Sequence, residues 1–372
     1  MGMKRMMAAG IVVCMGVQLF CSCGKEQPKE ERQVHMGVAY YDQSDTYINT
    51  LVACLKDEIQ DYEEDNVETA LLLRSAAGSQ RIQNDQVKEL IDAGCNVLCV
   101  NLVDRADPSE IIDLARENDV PIIFFNREPV AEDLRQWDRL YYVGAVAAQS
   151  GIMQGELAVE LIGSNPSIDR NKDGKIQYVV LEGEAGHQDA IIRTENVVDT
   201  MKQNGIEIEK LGNGMANWNR AQAQNQMLQM ISQNQNKIEL VLANNDDMAL
   251  GAIDAYEKLN YTESALPVFL GIDGTDVGLE AVRDQKLAGT VYNDKEGQAE
   301  AMAELAIALV TGEGMEKIEF ENERYIYLPY FKVTQREAEK LLKRRQSSPA
   351  IFSVHCQLSS QKAESNQGEY NF

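Results

Sequence analysis

The chain has 372 residues, 44% hydrophobic and 25% charged, with a formal net charge of −24. Its length exceeds one small core and leads to an expectation of two domains, with a composition ordinary for a globular protein. So acidic a chain is unsuited to nucleic acid, whose phosphates it would repel.

Lys4 and Arg5 precede an apolar stretch, Met6 to Phe20, too short for a comfortable membrane span and suited to a secretory signal. Cys21-Ser22-Cys23-Gly24 follows, then a polar run to Gln33. This resembles the processing site of bacterial lipoproteins, with Cys23 as the lipidated residue because Ser22 before it is small. That pattern prefers Leu where Phe20 stands, and plain signal cleavage is the alternative. The expected division is a signal segment over 1–23 and a solvated tether over 24–33. Cys54, Cys95, Cys99 and Cys356 have no metal-ligand pattern, and nothing argues for a disulfide framework.

From Val34 apolar runs alternate with amphipathic stretches, which predicts strand–helix–strand units and parallel sheets. Strands are expected at Met36–Tyr41, Ala70–Leu73, Val97–Asn101, Pro121–Phe125 and Tyr141–Val143, with helices at Tyr47–Glu63, Arg81–Ala93 and Ser109–Asn118 between them. The pattern then restarts. Helices are expected at Gln149–Ile162, Ala190–Asn204, Ala221–Ser232, Met248–Lys258, from Val277 and at Gly297–Leu309. Strands are expected at Ile176–Leu181, Ile206–Leu211, Ile238–Ala243, Val268–Ile272, Gly289–Tyr292 and Arg324–Tyr330, and a charged helix at Arg336–Arg344 closes the series. So many strands exceed a single comfortable sheet, so the fold class expected is α/β with two doubly wound parallel-sheet lobes. The Ser/Gln-rich segment 346–372 has no period and is expected to be a disordered tail.

Between two elements lies Asp169-Arg170-Asn171-Lys172-Asp173-Gly174-Lys175-Ile176-Gln177, in which oxygen-bearing side chains alternate around a glycine. This matches the first nine positions of a calcium loop, where a sharp turn aims alternate oxygens inward. The twelfth position is Val180 rather than glutamate, so a missing carboxylate has to come from elsewhere in the chain. A solvated Asp/Asn/Gly turn is the alternative.

In open parallel sheets, ligands sit beyond the carboxyl ends of the strands. Asp45 and Tyr47 follow the first strand there, and Asn101 with Asp104, then Asn126, end the third and fourth. His187, Asp189 and Arg193 follow the strand after the calcium-like loop, Trp218 is placed at a helix start, and Asn244-Asn245-Asp246, Asp273 and Asn293-Asp294 end later strands. Carboxylates, carboxamides and a guanidinium exchange paired hydrogen bonds with neighbouring hydroxyls, while Tyr47 and Trp218 offer flat apolar faces, a combination suited to a monosaccharide. Taken singly, each Asn or Asp here is a ready helix cap or turn residue, and the joint placement carries the reading.

Phe124-Phe125-Asn126-Arg127-Glu128-Pro129, Tyr141-Tyr142-Val143-Gly144, the Asp169–Gln177 loop, Gly186-His187-Gln188-Asp189-Ala190, Ala243-Asn244-Asn245-Asp246 and the run from Ala288 to Asp294 carry a resemblance. From about Gln33 to Leu342 the chain resembles the bacterial periplasmic galactose/glucose-binding proteins of sugar uptake systems, two-lobed type I periplasmic binding proteins that close on a hexose. The resemblance implies that Asp45, Asn126, His187, Asp189, Arg193, Asn245, Asp273 and Asn293 bind sugar hydroxyls. It implies that Tyr47 and Trp218 stack on the two faces. For structural calcium it implies Asp169, Asn171, Asp173, Gln177, the main-chain carbonyl of Lys175 and the carboxylate of Glu239. Tyr47 stands where the family has Phe, and Gln188 replaces a proline.

The lobes are expected at 34–144 plus 294–325 and at 145–293 plus 326–345, joined by a hinge of three segments near Gly144, Asn293 and Tyr325. The expected function is that of an extracytoplasmic, lipid-anchored, monomeric receptor, not an enzyme, that delivers D-galactose or D-glucose to an ATP-driven membrane permease. A sensor subunit using the same pocket to signal to a membrane kinase or chemoreceptor is the main rival. A sugar-responsive repressor would need a DNA-binding head where the signal segment stands, and a hydrolase would need room for a leaving group.

Overall fold

The computed structural model describes residues 33–64 and 68–347. Cys23, nearly all of the tether and the tail beyond 347 lie outside them. Along the chain the first elements are β1 (Val34–Tyr40), α1 (Thr46–Glu64), β2 (Thr69–Ser75), α2 (Gln80–Asp92), β3 (Val97–Val100), α3 (Ser109–Glu117), β4 (Ile122–Phe125), α4 (Ala131–Leu134) and β5 (Leu140–Gly144). The series continues with α5 (Ala147–Ser164), β6 (Ile176–Glu182), α6 (Gln188–Gln203), β7 (Ile208–Met215), α7 (Arg220–Asn234), β8 (Leu240–Ala243), α8 (Asp246–Lys258), β9 (Val268–Leu270) and α9 (Asp276–Arg283). It ends with β10 (Thr290–Asn293), α10 (Lys295–Thr311), β11 (Tyr325–Tyr327), β12 (Tyr330–Val333) and α11 (Gln335–Ser347).

The first lobe is a six-stranded sheet in the order β11-β5-β4-β3-β1-β2, parallel throughout. Its central strands Val97–Val100 and Ile122–Phe125 are buried on both faces, which is why they read as unbroken apolar runs. On one face Val38, Cys99 and Phe125 pack with Leu51 and Leu55 of α1 and Met302 and Leu305 of α10; on the other, Leu98, Val100 and Phe124 pack with Leu90 of α2 and Ile111 of α3.

The second lobe has the parallel order β7-β6-β8-β9. Bridges Leu270↔Gly289 and Asp273↔Tyr292 carry it on to β10, which pairs antiparallel with β12. The second sheet is therefore mixed at this edge rather than parallel throughout. Val180, Leu242 and Val291 pack against Leu157 of α5 and Val197 of α6, while Val179, Val241 and Tyr256 pack against Met227 of α7. Helices α5 and α6 meet through glycine: a β-carbon on Gly151 would fall 2.7 Å from the Arg193 carbonyl oxygen, and one on Gly155 2.6 Å from Thr200 Cβ. This contact seats the helix that carries Arg193.

Four expectations are corrected. The strand expected at Arg324–Tyr330 is two strands, β11 in the first sheet and β12 against β10, broken at Leu328-Pro329 because proline has no N–H for a ladder. Ile326 and Tyr327 thus belong to the first lobe, and the third crossing follows Tyr327 rather than Tyr325. The strand expected at Ile206–Leu211 runs from Ile208 to Met215. Trp218 does not open a helix: it sits at φ 60° ahead of Asn219, which caps α7 by accepting from Gln222 N.

Three segments pass between the lobes, after β5, between β10 and α10, and between β11 and β12. The first and third are tied together by Leu328 N donating to the Gly144 carbonyl at 2.8 Å and Tyr330 N donating to Gln149 Oε1 at 3.1 Å. Among the described residues no helix is long and apolar enough to cross a membrane.

Candidate sugar-binding cleft

The carboxyl ends of both sheets converge on one cleft. Its wall is formed by Tyr41, Asp45, Tyr47, Ile48, Asn126 and Arg127 from the first lobe and His187, Asp189, Arg193, Trp218, Asn245 and Asp273 from the second.

Three of the polar residues cap helices that begin at the cleft. Asp45 Oδ1 accepts from Ile48 N at 2.9 Å, Asn245 Oδ1 accepts from Met248 N at 2.9 Å, and His187 Nδ1 accepts from Asp189 N at 3.1 Å. Capping and lining are thus one arrangement, since the cap holds the side chain at the helix start while its remaining polar atoms face the cleft. Because His187 Nδ1 is an acceptor, the neutral ring carries its proton on Nε2, which makes His187 a hydrogen-bond donor toward a ligand. Burial, helped by the nearby Arg127 and Arg193, pushes its pKa well below the ordinary value, so it stays neutral.

Arg193, 4% exposed, is the hub of the second lobe's wall. Nη1 donates to the Asn244 carbonyl at 2.7 Å and lies 3.5 Å from Asp273 Oδ1; Nη2 donates to Tyr330 OH at 3.2 Å and lies 3.9 Å from Asp189 Oδ2. Burial raises the pKa of Asp189 and raises that of Asp273 further, with Arg193 opposing both shifts. Such carboxyls gain from any hydroxyl that donates to them.

The apolar walls are aromatic. His187 meets the Trp218 ring edge-on at 5.0 Å, and Arg193 lies 5.9 Å over the same ring. Tyr47, 4% exposed, has the partner its hydroxyl requires: Gln298 Nε2 donates to it at 2.9 Å and also to Asn293 Oδ1 at 2.7 Å. Asn293 is the one expected contact that is not part of the wall; it lies buried behind it in this bond with Gln298. Asn126 at φ 60°, Trp218 at φ 60° and Asp273 at φ 110° all hold left-handed backbone. Strain of this kind, of order 1–3 kcal/mol each, persists where surroundings over-determine it.

Asn101 acts from behind, donating to the Phe125 carbonyl and to Asn126 Oδ1, both at 3.1 Å, and accepting from Tyr41 N. Asp246 is fully buried, accepting from Thr290 Oγ1 at 2.6 Å and Thr275 N at 2.9 Å, and burial pushes its pKa up to about 7. It is a structural residue of the second lobe. Asp104 caps its own turn by accepting from Ala106 N. Tyr41, Ile48 and Arg127 had not been expected in the wall.

The oxygen-rich loop folds around Gly174 at φ 82°. Asp169 Oδ2 accepts from Gly174 N at 2.9 Å, and Asp173 Oδ1 accepts from Lys175 N at 2.9 Å, which holds the Asp173 carboxyl below its usual range. Asn171 Nδ2 donates to Asp173 and to Gln177 Oε1 at 3.0 Å. Buried Glu239 reaches in from the start of β8, accepting from Arg170 N at 2.6 Å and Gln177 N at 3.1 Å. Among the described residues no three His, Cys, Asp or Glu side chains alone form a metal cluster. The donors gathered here are mixed carboxylate and carboxamide oxygens, the chemistry of a hard cation.

Residues 36–314 match the family described as periplasmic binding protein domain. The chain belongs to that family. Among similar periplasmic binding proteins, the D-galactose/methyl-galactoside binding periplasmic protein MglB of Haemophilus influenzae is 37% identical over 276 residues, covering 73% of this chain and 82% of the relative. A putative rhizopine-binding protein of Rhizobium meliloti is 30% identical, covering 76% and 85%. A solute-binding protein of an ABC transporter from Bacillus halodurans, solved with bound myo-inositol, superposes with TM-score 0.70 at 25% identity, covering 85% of this chain and 99% of its own. The two-lobed α/β fold is thus that of the type I periplasmic binding proteins.

Proposed function

We propose that this chain is an extracytoplasmic receptor that binds D-galactose or D-glucose between its lobes and delivers it to the membrane permease of an ATP-driven transporter. The observation that carries this reading is the convergence of polar groups from both lobes, with Tyr47 on one side and Trp218 on the other, on a single small cleft. Asp45, Asp189 and Asp273 accept from sugar hydroxyls; Arg193, His187 Nε2 and the amides of Asn126 and Asn245 donate to them. Asn293 lends its free amide from behind. With contacts from both lobes, the ligand selects the closed arrangement. A similar solute-binding protein is solved with bound myo-inositol, so the test panel includes inositol.

The receptor reading, as against an enzyme, is supported by how the paired carboxylates are committed: Asp45 to Tyr41 and Ile48, Asp273 to Arg193. Calcium in the Asp169–Gln177 loop is read as structural. Asp169, Asn171, Asp173, Gln177, the Lys175 carbonyl and Glu239 would hold it, and it would supply charge balance that fixes the loop ahead of β6. Anchoring through a lipid on Cys23 and a monomeric state complete the proposal and rest on sequence. Calorimetric titration with galactose, glucose, ribose and myo-inositol, followed in parallel by tryptophan fluorescence, tests it; a flat trace with every one would falsify it.

A further inference from the structure

Two wall residues, Tyr41 and Arg127, are given no contact with the ligand in the reading above. Arg127 is 5% exposed and follows Asn126 on the first lobe. Its guanidinium makes three contacts. Nη1 donates to the Val103 carbonyl at 2.8 Å, the flat group lies 3.7 Å over the Tyr41 ring, and Nη2 crosses the cleft to Glu184 Oε1 at 2.9 Å. Tyr41 in turn donates its hydroxyl to Asp45 Oδ2 at 2.6 Å. A planar guanidinium can stack and pair at once, which an ammonium cannot.

Of these contacts only the one to Glu184 joins the two lobes. The other two lie within the first lobe, and the one to Tyr41 carries its effect to Asp45. We propose that Arg127 is a positioning residue: Glu184, arriving with the second lobe, locks the guanidinium over Tyr41, and Tyr41 then fixes the Asp45 carboxylate for the ligand. This deepens the receptor reading and rests on it. Opening of the lobes frees the guanidinium, loosens Tyr41 and weakens the Asp45 contacts, so closure and grip rise and fall together. The lock acts on the lifetime of the closed complex, since it forms only after the lobes have met.

The test uses the full chain and the sugar it binds best, with stopped-flow tryptophan fluorescence as the readout. Glu184→Gln keeps the shape and removes the charge; Tyr41→Phe keeps the stack and removes the bond to Asp45. Each is expected to raise the dissociation rate about tenfold while leaving the association rate within about twofold. The double variant is expected to dissociate no faster than about the worse single one, because both cut the same chain. Arg127→Lys keeps the charge but not the planar stack and is expected to dissociate faster than the wild type. Ligand-free melting temperatures are expected to stay within about 2 °C, which separates positioning from folding. Unchanged dissociation in Glu184→Gln, or rates that multiply in the double variant, overturn the proposal. If the wild type binds none of the sugars, the receptor reading has failed, and the lock is then read on ligand-free protein by the distance between spin labels on the two lobes. Glu184→Gln is expected to lengthen it; an identical distance overturns the lock independently.

Discussion

The Trp218 indole lies against the bare backbone of Gly183, so close that a β-carbon there would fall 2.1 Å from the ring. Gly183 follows β6 and its backbone N–H donates to Asn244 Oδ1, so the ring is seated by a fixed strand end. Gly183→Ala therefore displaces the indole without demanding unusual backbone from alanine. Affinity for the sugar is expected to fall at least about tenfold, with a loss of roughly 1.4 kcal/mol or more in a central aromatic contact. Measuring emission in a Trp137→Phe background isolates Trp218; unchanged affinity with a shifted emission maximum would show that the ring does not touch the ligand.

His187 and Asp246 act on stability with opposite signs. His187 has a folded pKa below its ordinary one, so its contribution is complete above about pH 6.5 and is lost as pH falls, when the unfolded chain takes up a proton that the folded one refuses. Asp246 is raised to about 7, so its contribution is complete below the ordinary aspartate range and is lost as pH climbs toward 7. Asp189 and Asp273, also raised by burial, act in the same direction as Asp246, so the wild type carries opposed contributions between pH 4.5 and 6.5, each group adding at most about 1.4 kcal/mol per pH unit. Relative to the wild type, His187→Gln is expected to tilt ligand-free stability toward the acid side of that window, and Asp246→Asn to tilt it toward the neutral side. Denaturant midpoints at pH steps check both; parallel profiles for all three proteins would contradict the assignment.

How much of this was legible follows from the same residues. Asp45, His187 and Asn245 were within reach because a polar residue just past an apolar run is both a helix cap and, in a parallel sheet, a cleft residue. Arg127 was not, since its meaning lies in Glu184, 57 positions later, and no local period records a bond between lobes. Its place beside Asn126, and the four-residue spacing of Tyr41 from Asp45, were the available signals. The break at Pro329 was also legible, as proline within an expected strand argues against that strand. Trp218 was misplaced for the opposite reason: a non-glycine residue at positive φ leaves no mark in composition.

Glu239, just ahead of β8, is held by backbone donors of the loop it closes, Arg170 N and Gln177 N. Calcium at about a hundredfold over its dissociation constant is expected to stabilise the protein by about 2.7 kcal/mol. That corresponds to several degrees in the melting temperature of a domain of this size, roughly 2–4 °C per kcal/mol. Chelation reverses the gain. Glu239→Gln is expected to remove the calcium response, while sugar affinity at saturating stability stays within about threefold because the loop sits away from the strand ends that face the cleft. Differential scanning calorimetry with and without chelator measures this, and equal melting curves would exclude a bound cation.

Tyr47, Gln298 and Asn293 form the last relationship that separates contact from support. Tyr47→Phe removes the acceptor of one Gln298 Nε2 N–H, while the other N–H keeps its bond to Asn293. The cost is expected to stay near about 1 kcal/mol, with affinity within about threefold, because the ring remains. Gln298→Leu strands both the Tyr47 hydroxyl and Asn293 Oδ1 in a buried place. It is expected to cost about 2–4 kcal/mol and to weaken binding more than about tenfold, because Asn293 loses the bond that leaves its amide free for the ligand. Chemical denaturation and titration on the two variants decide the matter. If Tyr47→Phe proves the worse of the two for affinity, the hydroxyl itself meets the sugar and Gln298 is not the residue that holds the cleft floor.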